Sequence, residues 1–115
     1  GHSIPRRYSM AKFLFSGSYT QEGVNGLLKD GGSKRYEAVE QLMASLGGSL
    51  EAYYFAFGGR DFYVIADLPD NAAAAAGSLV VAATGTVKPV TTVLLTAKEI
   101  DEAAQRTVAY RAPGK

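Results

Sequence analysis

Apolar residues follow two rhythms along the chain, and the switch between them sets the order of elements. Over residues 12–19, Phe13, Phe15, Gly17 and Tyr19 share one parity while Leu14, Ser16 and Ser18 take the other, the two-residue period of a strand. Thr20 can cap a short helical turn holding Val24, Leu27 and Leu28, which Gly23 and Gly26 weaken to something loop-like. Lys29-Asp30-Gly31-Gly32 stops it, and Ser33 can cap the next segment. There Tyr36, Val39, Leu42, Met43 and Leu46 recur at spacings of three and four, which predicts a helix over 34–46 with Lys34, Glu37 and Gln41 toward water. Gly47-Gly48 ends it.

Two strands, 50–57 and 62–68, flank Gly58-Gly59-Arg60-Asp61. Consecutive glycines between such runs predict a tight hairpin, because glycine enters positive φ at little cost. On the first strand Tyr53, Phe55 and Phe57 take one face and Leu50, Ala52, Tyr54 and Ala56 the other, so both faces are apolar. Pro69-Asp70-Asn71 then turns into an alanine-rich helix over 72–83, capped by Asp70 and small enough in section to lie close on a sheet. Gly85 terminates it, and a last strand over 87–95 follows, with Pro89 marking an edge. Thr96 and Glu99 have capping-box spacing, which starts a helix running to about residue 107 with Ile100, Ala103, Ala104 and Thr107 on its apolar stripe.

The order βαββαβ plus a C-terminal helix predicts an α+β ferredoxin-like domain: a four-stranded antiparallel sheet with helices on one face. The second face of such a sheet is ordinarily polar. Here the hairpin strands and the last strand, with Val87, Val93 and Leu95 against Val90 and Leu94, are apolar at both parities, so a second copy packed sheet to sheet is the expected lid. Base stacking on an aromatic sheet face is the competing use. Its cationic frame is thin: Lys12, Arg60 and Lys88 are the main strand-associated cations, and no nucleic-acid partner is expected.

Composition changes this picture in a few places. The 115 residues make one small domain, for which association adds usefully to stability. Formal charge is +1, but residues 1–9 carry Arg6 and Arg7, and residues 10–115 hold ten basic against eleven acidic side chains. Residues 1–9 read as a tag or N-terminal extension before a 10–115 domain with a short tail. No cysteine is present and the single histidine is His2, so thiol chemistry, imidazole catalysis and a haem-ligating histidine are not expected in the domain. No cofactor or metal is called for. No apolar run is long enough to span a bilayer, and a cytoplasmic protein is the default expectation.

The candidate chemistry is sparse. Walker, Rossmann and G-x-S-x-G signatures are missing. Asp61 and Asp67 lie six residues apart, ~20 Å along a strand, which excludes a direct carboxylate pair. Arg60 with Asp61 reads first as a hairpin salt bridge or turn cap, and Asp70 as a helix cap. Asp67 interrupts an apolar strand, so it either sits at a wet strand end or needs a partner. Tyr19 and Tyr36 could place hydroxyls above a sheet-helix cleft, and Tyr53, Tyr54 or Tyr63 could do so at the other face.

Ser18-Tyr19-Thr20-Gln21-Glu22-Gly23, Gly58-Gly59-Arg60-Asp61 continuing through Phe62 to Asp70, and Gly85-Thr86-Val87 together resemble the GYD-domain family over about residues 12–95. These are small, mostly bacterial and archaeal proteins of unassigned function. The family hairpin reads Gly, variable, Tyr, Asp; Arg60 occupies the tyrosine position, replacing a ring with a fixed charge and five donors. Asp67 stands where the family usually carries glutamate. The resemblance implies a dimeric α+β barrel, a fold shared by cofactor-free monooxygenases, lactone isomerases, haem-degrading enzymes and regulator ligand-binding domains, which leaves the reaction open. The leading expectation is an oligomer binding a small anionic or aromatic metabolite, with Arg60 as charge contact, Asp67 as polar orienter and Tyr19 and Tyr36 as wall. The alternatives are a cofactor-independent oxygenase or isomerase in which Asp67 moves a proton and Arg60 stabilises an oxyanion, and a structural or protein-interaction module.

Overall fold

The computed structural model describes residues 10–115. The extension assigned to residues 1–9, with His2, lies outside the described residues. Eight elements follow in the order β1 (Ala11–Tyr19), α1 (Gln21–Asp30), α2 (Gly32–Ser45), β2 (Ser49–Phe55), β3 (Phe62–Leu68), α3 (Asn71–Ala83), β4 (Val87–Leu94) and α4 (Ala97–Ala104). The strands form one antiparallel sheet in the order β2-β3-β1-β4, the ferredoxin-like arrangement expected from the sequence. β4 is an edge strand, which accommodates Pro89 opposite Gly17.

The core lies between the sheet and α2 and α3. β3 alternates without a break: Phe62, Val64, Ala66 and Leu68 are buried, whereas Tyr63, Ile65 and Asp67 look to the other face. Phe13 and Phe15 from β1, Tyr53 from β2 and Val87 from β4 join them under Val39 and Met43 of α2. Ala74 and Gly77 are the buried residues of α3, so the alanine-rich helix does lie close, with Gly77 backed against Leu46. Asp70 caps it by accepting from the Ala73 N–H at 2.9 Å.

Four local expectations are corrected. The segment after Thr20 is a regular ten-residue helix rather than a loop-like turn. Thr20 accepts from the Gly23 N–H, and the Thr20 N–H and hydroxyl donate to the Thr86 and Gly85 carbonyls at 3.0 and 2.8 Å, so tertiary contacts fix its start. Gly31, at φ 83°, rather than Ser33, is the N-cap of α2, and Ser33 sits inside the helix. Gly58 and Gly59 do not adopt positive φ; the hairpin closes instead through the Ala56 N–H donating to the Asp61 carbonyl at 2.9 Å. Finally, a bulge at Glu51 shifts the β2 register, because Leu50 opposes Ala66 while Ala52 opposes Ile65. Leu50 therefore packs toward the core instead of sharing the outer face with Ala52 and Tyr54.

Among the described residues, no helix packs on the outer sheet face. It carries Leu14, Ile65, Ala52 and Leu94 with the exposed Tyr54, Tyr63 and Val90. Lys12 is paired there with both Asp67, at 2.8 Å, and Glu51.

The two glycines of α1 have opposite roles. A Cβ on Gly23 would stand 2.0 Å from the Thr86 carbonyl oxygen, whereas one on Gly26 meets nothing within 4 Å. Alanine is the better helix former by ~1 kcal/mol. Gly26→Ala is expected to stabilise by roughly that amount, and Gly23→Ala to destabilise by about 1–3 kcal/mol through overpacking. Denaturant midpoints of the two variants check the pair.

Candidate functional site

α2 places Arg35 one turn before Val39 and two before Met43, on the stripe that faces the core. An arginine at a stripe position must find a polar niche or a cavity wall. Its Nε is fully buried and has no hydrogen-bond partner among the described residues, while the residue as a whole is half-buried. The side chain forms part of the wall between two spaces. Behind it, among Phe15, Val39, Met43, Tyr53 and Val64, is an apolar void of about 40 Å³, with room for little beyond one water molecule. In front is a cleft of about 220 Å³ between α1, α2 and the start of β4, lined by Tyr19, Glu22, Leu27, Lys34, Arg35 and Thr86. Glu22, Asp30 and Lys34 are exposed at its rim, so the charge reaching its inner wall is that of Arg35.

Three tyrosines continue from that wall across the helix-covered face of the sheet. The Tyr19 and Tyr53 hydroxyls are 3.2 Å apart, and the Tyr53 ring stacks on Tyr36 at a centroid distance of 5.7 Å and 14° between planes. Burial pushes the Tyr53 phenol well above its ordinary value, the hydrogen bond it shares with Tyr19 adds to the rise, and Arg35 opposes it. Tyr53 thus belongs with Tyr19 and Tyr36, not with Tyr54 and Tyr63, whose side chains occupy the outer face.

The residues singled out in the sequence separate into two groups. Tyr19 and Tyr36 come together through Tyr53. Asp67 is on the outer face, held by Lys12, whose pKa is raised by its hydrogen bonds to Asp67 and Glu51. Arg60 is exposed on the hairpin. Neither Arg60 nor Asp67 lines the clefts around Tyr19 and Tyr36. Asp61 makes no ion pair with Arg60 among the described residues; its carboxylate accepts from the Tyr19 N–H at 2.9 Å, and its own N–H donates to the Gly17 carbonyl at 2.7 Å. The aspartate of the hairpin is therefore a cap on the end of β1, and it fixes the backbone from which Tyr19 projects.

The family model described as GYD domain matches residues 13–104, from the first fully buried strand residue to the end of α4. The chain belongs to the GYD-domain family. No curated protein and no solved structure matches it. The match runs past residue 95, so α4 is part of the GYD domain rather than an appendage to it. Arg35 is not among the apolar members that define the α2 stripe; its signal in the sequence is a cation at the 35, 39, 43 spacing.

A raised phenol pKa favours the protonated form of the folded state, so this contribution to stability is intact below about pH 10 and is lost as pH climbs above it. In an alkaline ultraviolet titration of this GYD domain, the exposed tyrosines should ionise first and one phenol should resist until unfolding. Tyr53→Phe should remove that late phase, and an unchanged titration would assign it elsewhere.

Proposed function

We propose that this GYD domain acts as a pair of copies joined sheet to sheet, each binding a small anionic, aromatic metabolite in the cleft between Tyr19 and Arg35. The observation that carries the binding reading is the unpartnered, buried Nε of Arg35 at the inner wall. A guanidinium in that position can meet a carboxylate with charge-assisted hydrogen bonds, which are about twice as strong as neutral ones. The Tyr19 ring and hydroxyl flank it, and Leu27 supplies apolar contact. A cleft of about 220 Å³ lies below the usual range of drug-sized pockets, which suits a single ring with one acidic group. Pairing is supported by the outer sheet face, where Tyr54, Tyr63 and Val90 are exposed around the half-buried Leu14 and Ile65.

Benzoate is a suitable probe, with benzamide as its uncharged counterpart. Benzoate should shift the ring resonances of Tyr19 and Tyr53, and Arg35→Met should weaken it at least tenfold while leaving the fold intact by circular dichroism. Equal binding of the two probes, or indifference to Arg35→Met, overturns the assignment.

Sedimentation equilibrium at micromolar concentration tests the pairing separately. Twice the chain mass is expected for the native sequence and a single chain mass for Tyr63→Glu combined with Ile65→Glu.

A further inference from the structure

The cleft between α1 and α2 has walls of opposite charge. α1 brings Glu22 and Asp30 to it, and α2 brings Lys34 and Arg35. Among the described residues none of the four is in an ion pair, since the pairs that form belong to Lys12 on the outer sheet face. The walls attract each other across the gap and do not close it.

Gly26 keeps that gap open. It lines the α1 wall, and a Cβ there would meet no atom within 4 Å. Glycine inside a helix weakens it relative to alanine, and no neighbour calls for one at this position. Gly23 differs, because the Thr86 carbonyl excludes a side chain there. What Gly26 preserves is space facing the inner wall, where the buried Nε of Arg35 has no partner among the described residues.

The two carboxylates are not equivalent. From residue 22 to residue 30 the helix rises ~12 Å, so a ligand built on one ring meets one of them. Glu22 lies in the first turn of α1, where the positive end of the helix dipole already stabilises it. Asp30 is the last residue of α1, where the dipole opposes an anion, and no side chain caps the helix that follows. A cation in the cleft would supply the stabilisation that its own helix withholds from Asp30.

We propose, resting on the cleft assignment above, that the ligand is a zwitterion: a ring bearing a carboxylate that meets Arg35 and, at its other end, a protonated amine that meets Asp30. A plain carboxylate satisfies the α2 wall alone and brings its charge past two exposed carboxylates. The zwitterion carries no net charge and complements both walls. Lys34, beside Arg35 on α2, stands on the side of the ligand carboxylate.

4-(Aminomethyl)benzoate and 4-(hydroxymethyl)benzoate share an outline and differ in that one charge. Calorimetric titration of the full chain with each compound reads the difference. Exposed ion pairs are weak, so binding of the amine is expected to be tighter by about three- to fivefold, a preference that fades at about 1 M salt. Asp30→Asn should abolish the preference without weakening the hydroxymethyl compound, whereas Glu22→Gln should retain it. Gly26→Leu should weaken both compounds at least tenfold with no loss in the denaturant midpoint. Equal binding of the two compounds, or a preference that survives Asp30→Asn, overturns the zwitterion; if both still depend on Arg35, the cleft assignment stands without it. Absence of binding by both, full affinity in Gly26→Leu, or indifference to Arg35→Met overturns the cleft and the zwitterion together.

Discussion

A four-stranded sheet has two faces, and this chain supplies α2 and α3 to one of them. Everything else in the structure answers to that asymmetry. β3 resolves it residue by residue, sending Phe62, Val64, Ala66 and Leu68 under the helices and leaving Tyr63, Ile65 and Asp67 outside. Because the strand is central, its parity is transmitted to β1 and β2 through their registers, and from β1 to β4. The outer face then has to tolerate apolar side chains beside a charge. It does so by closing Lys12 between Asp67, directly across on β3, and Glu51 of β2, one strand further on.

Much of this was legible in the amino-acid sequence, for identifiable reasons. The 3.6-residue stripe of α2, the capping box at Thr96 and the stop signals at Gly47 and Gly85 are local, and local chemistry decides them. What escaped is set by contacts distant in the chain. α1 looked weak because Gly23 lowers helix propensity, but the same glycine admits the Thr86 carbonyl that anchors the helix. The bulge at Glu51 is a register shift of β2 against β3, which simple alternation does not anticipate, so Leu50 faces the core rather than the side of Ala52. Paired glycines at 58 and 59 signalled a turn correctly and its mechanism incorrectly, since backbone bonds around Asp61 close the loop without left-handed residues.

The site shows the same division. Tyr19 and Tyr36 were recognisable as cleft residues from their parity and helical position, but their association depends on Tyr53, which the sequence left on the opposite face. Arg35 went unread because charge on a helix is usually solvated. Its significance arises from stripe position and burial together, and burial is a property of the folded chain. The hairpin, which carries the family's most recognisable residues, turns out to serve the backbone: Asp61 holds β1 in place, while Arg60 projects into water.

That use of Asp61 has a consequence for how the domain assembles. Its carboxylate joins residues 42 positions apart, across the whole α1–α2 excursion. A hairpin of β2 and β3 can zip locally, but its loop end cannot be locked until β1 has arrived alongside. The last registration of the central seam and the seating of Tyr19 are then one event. Folding of the sheet and completion of the cleft beside Tyr19 are coupled in time through a single side chain.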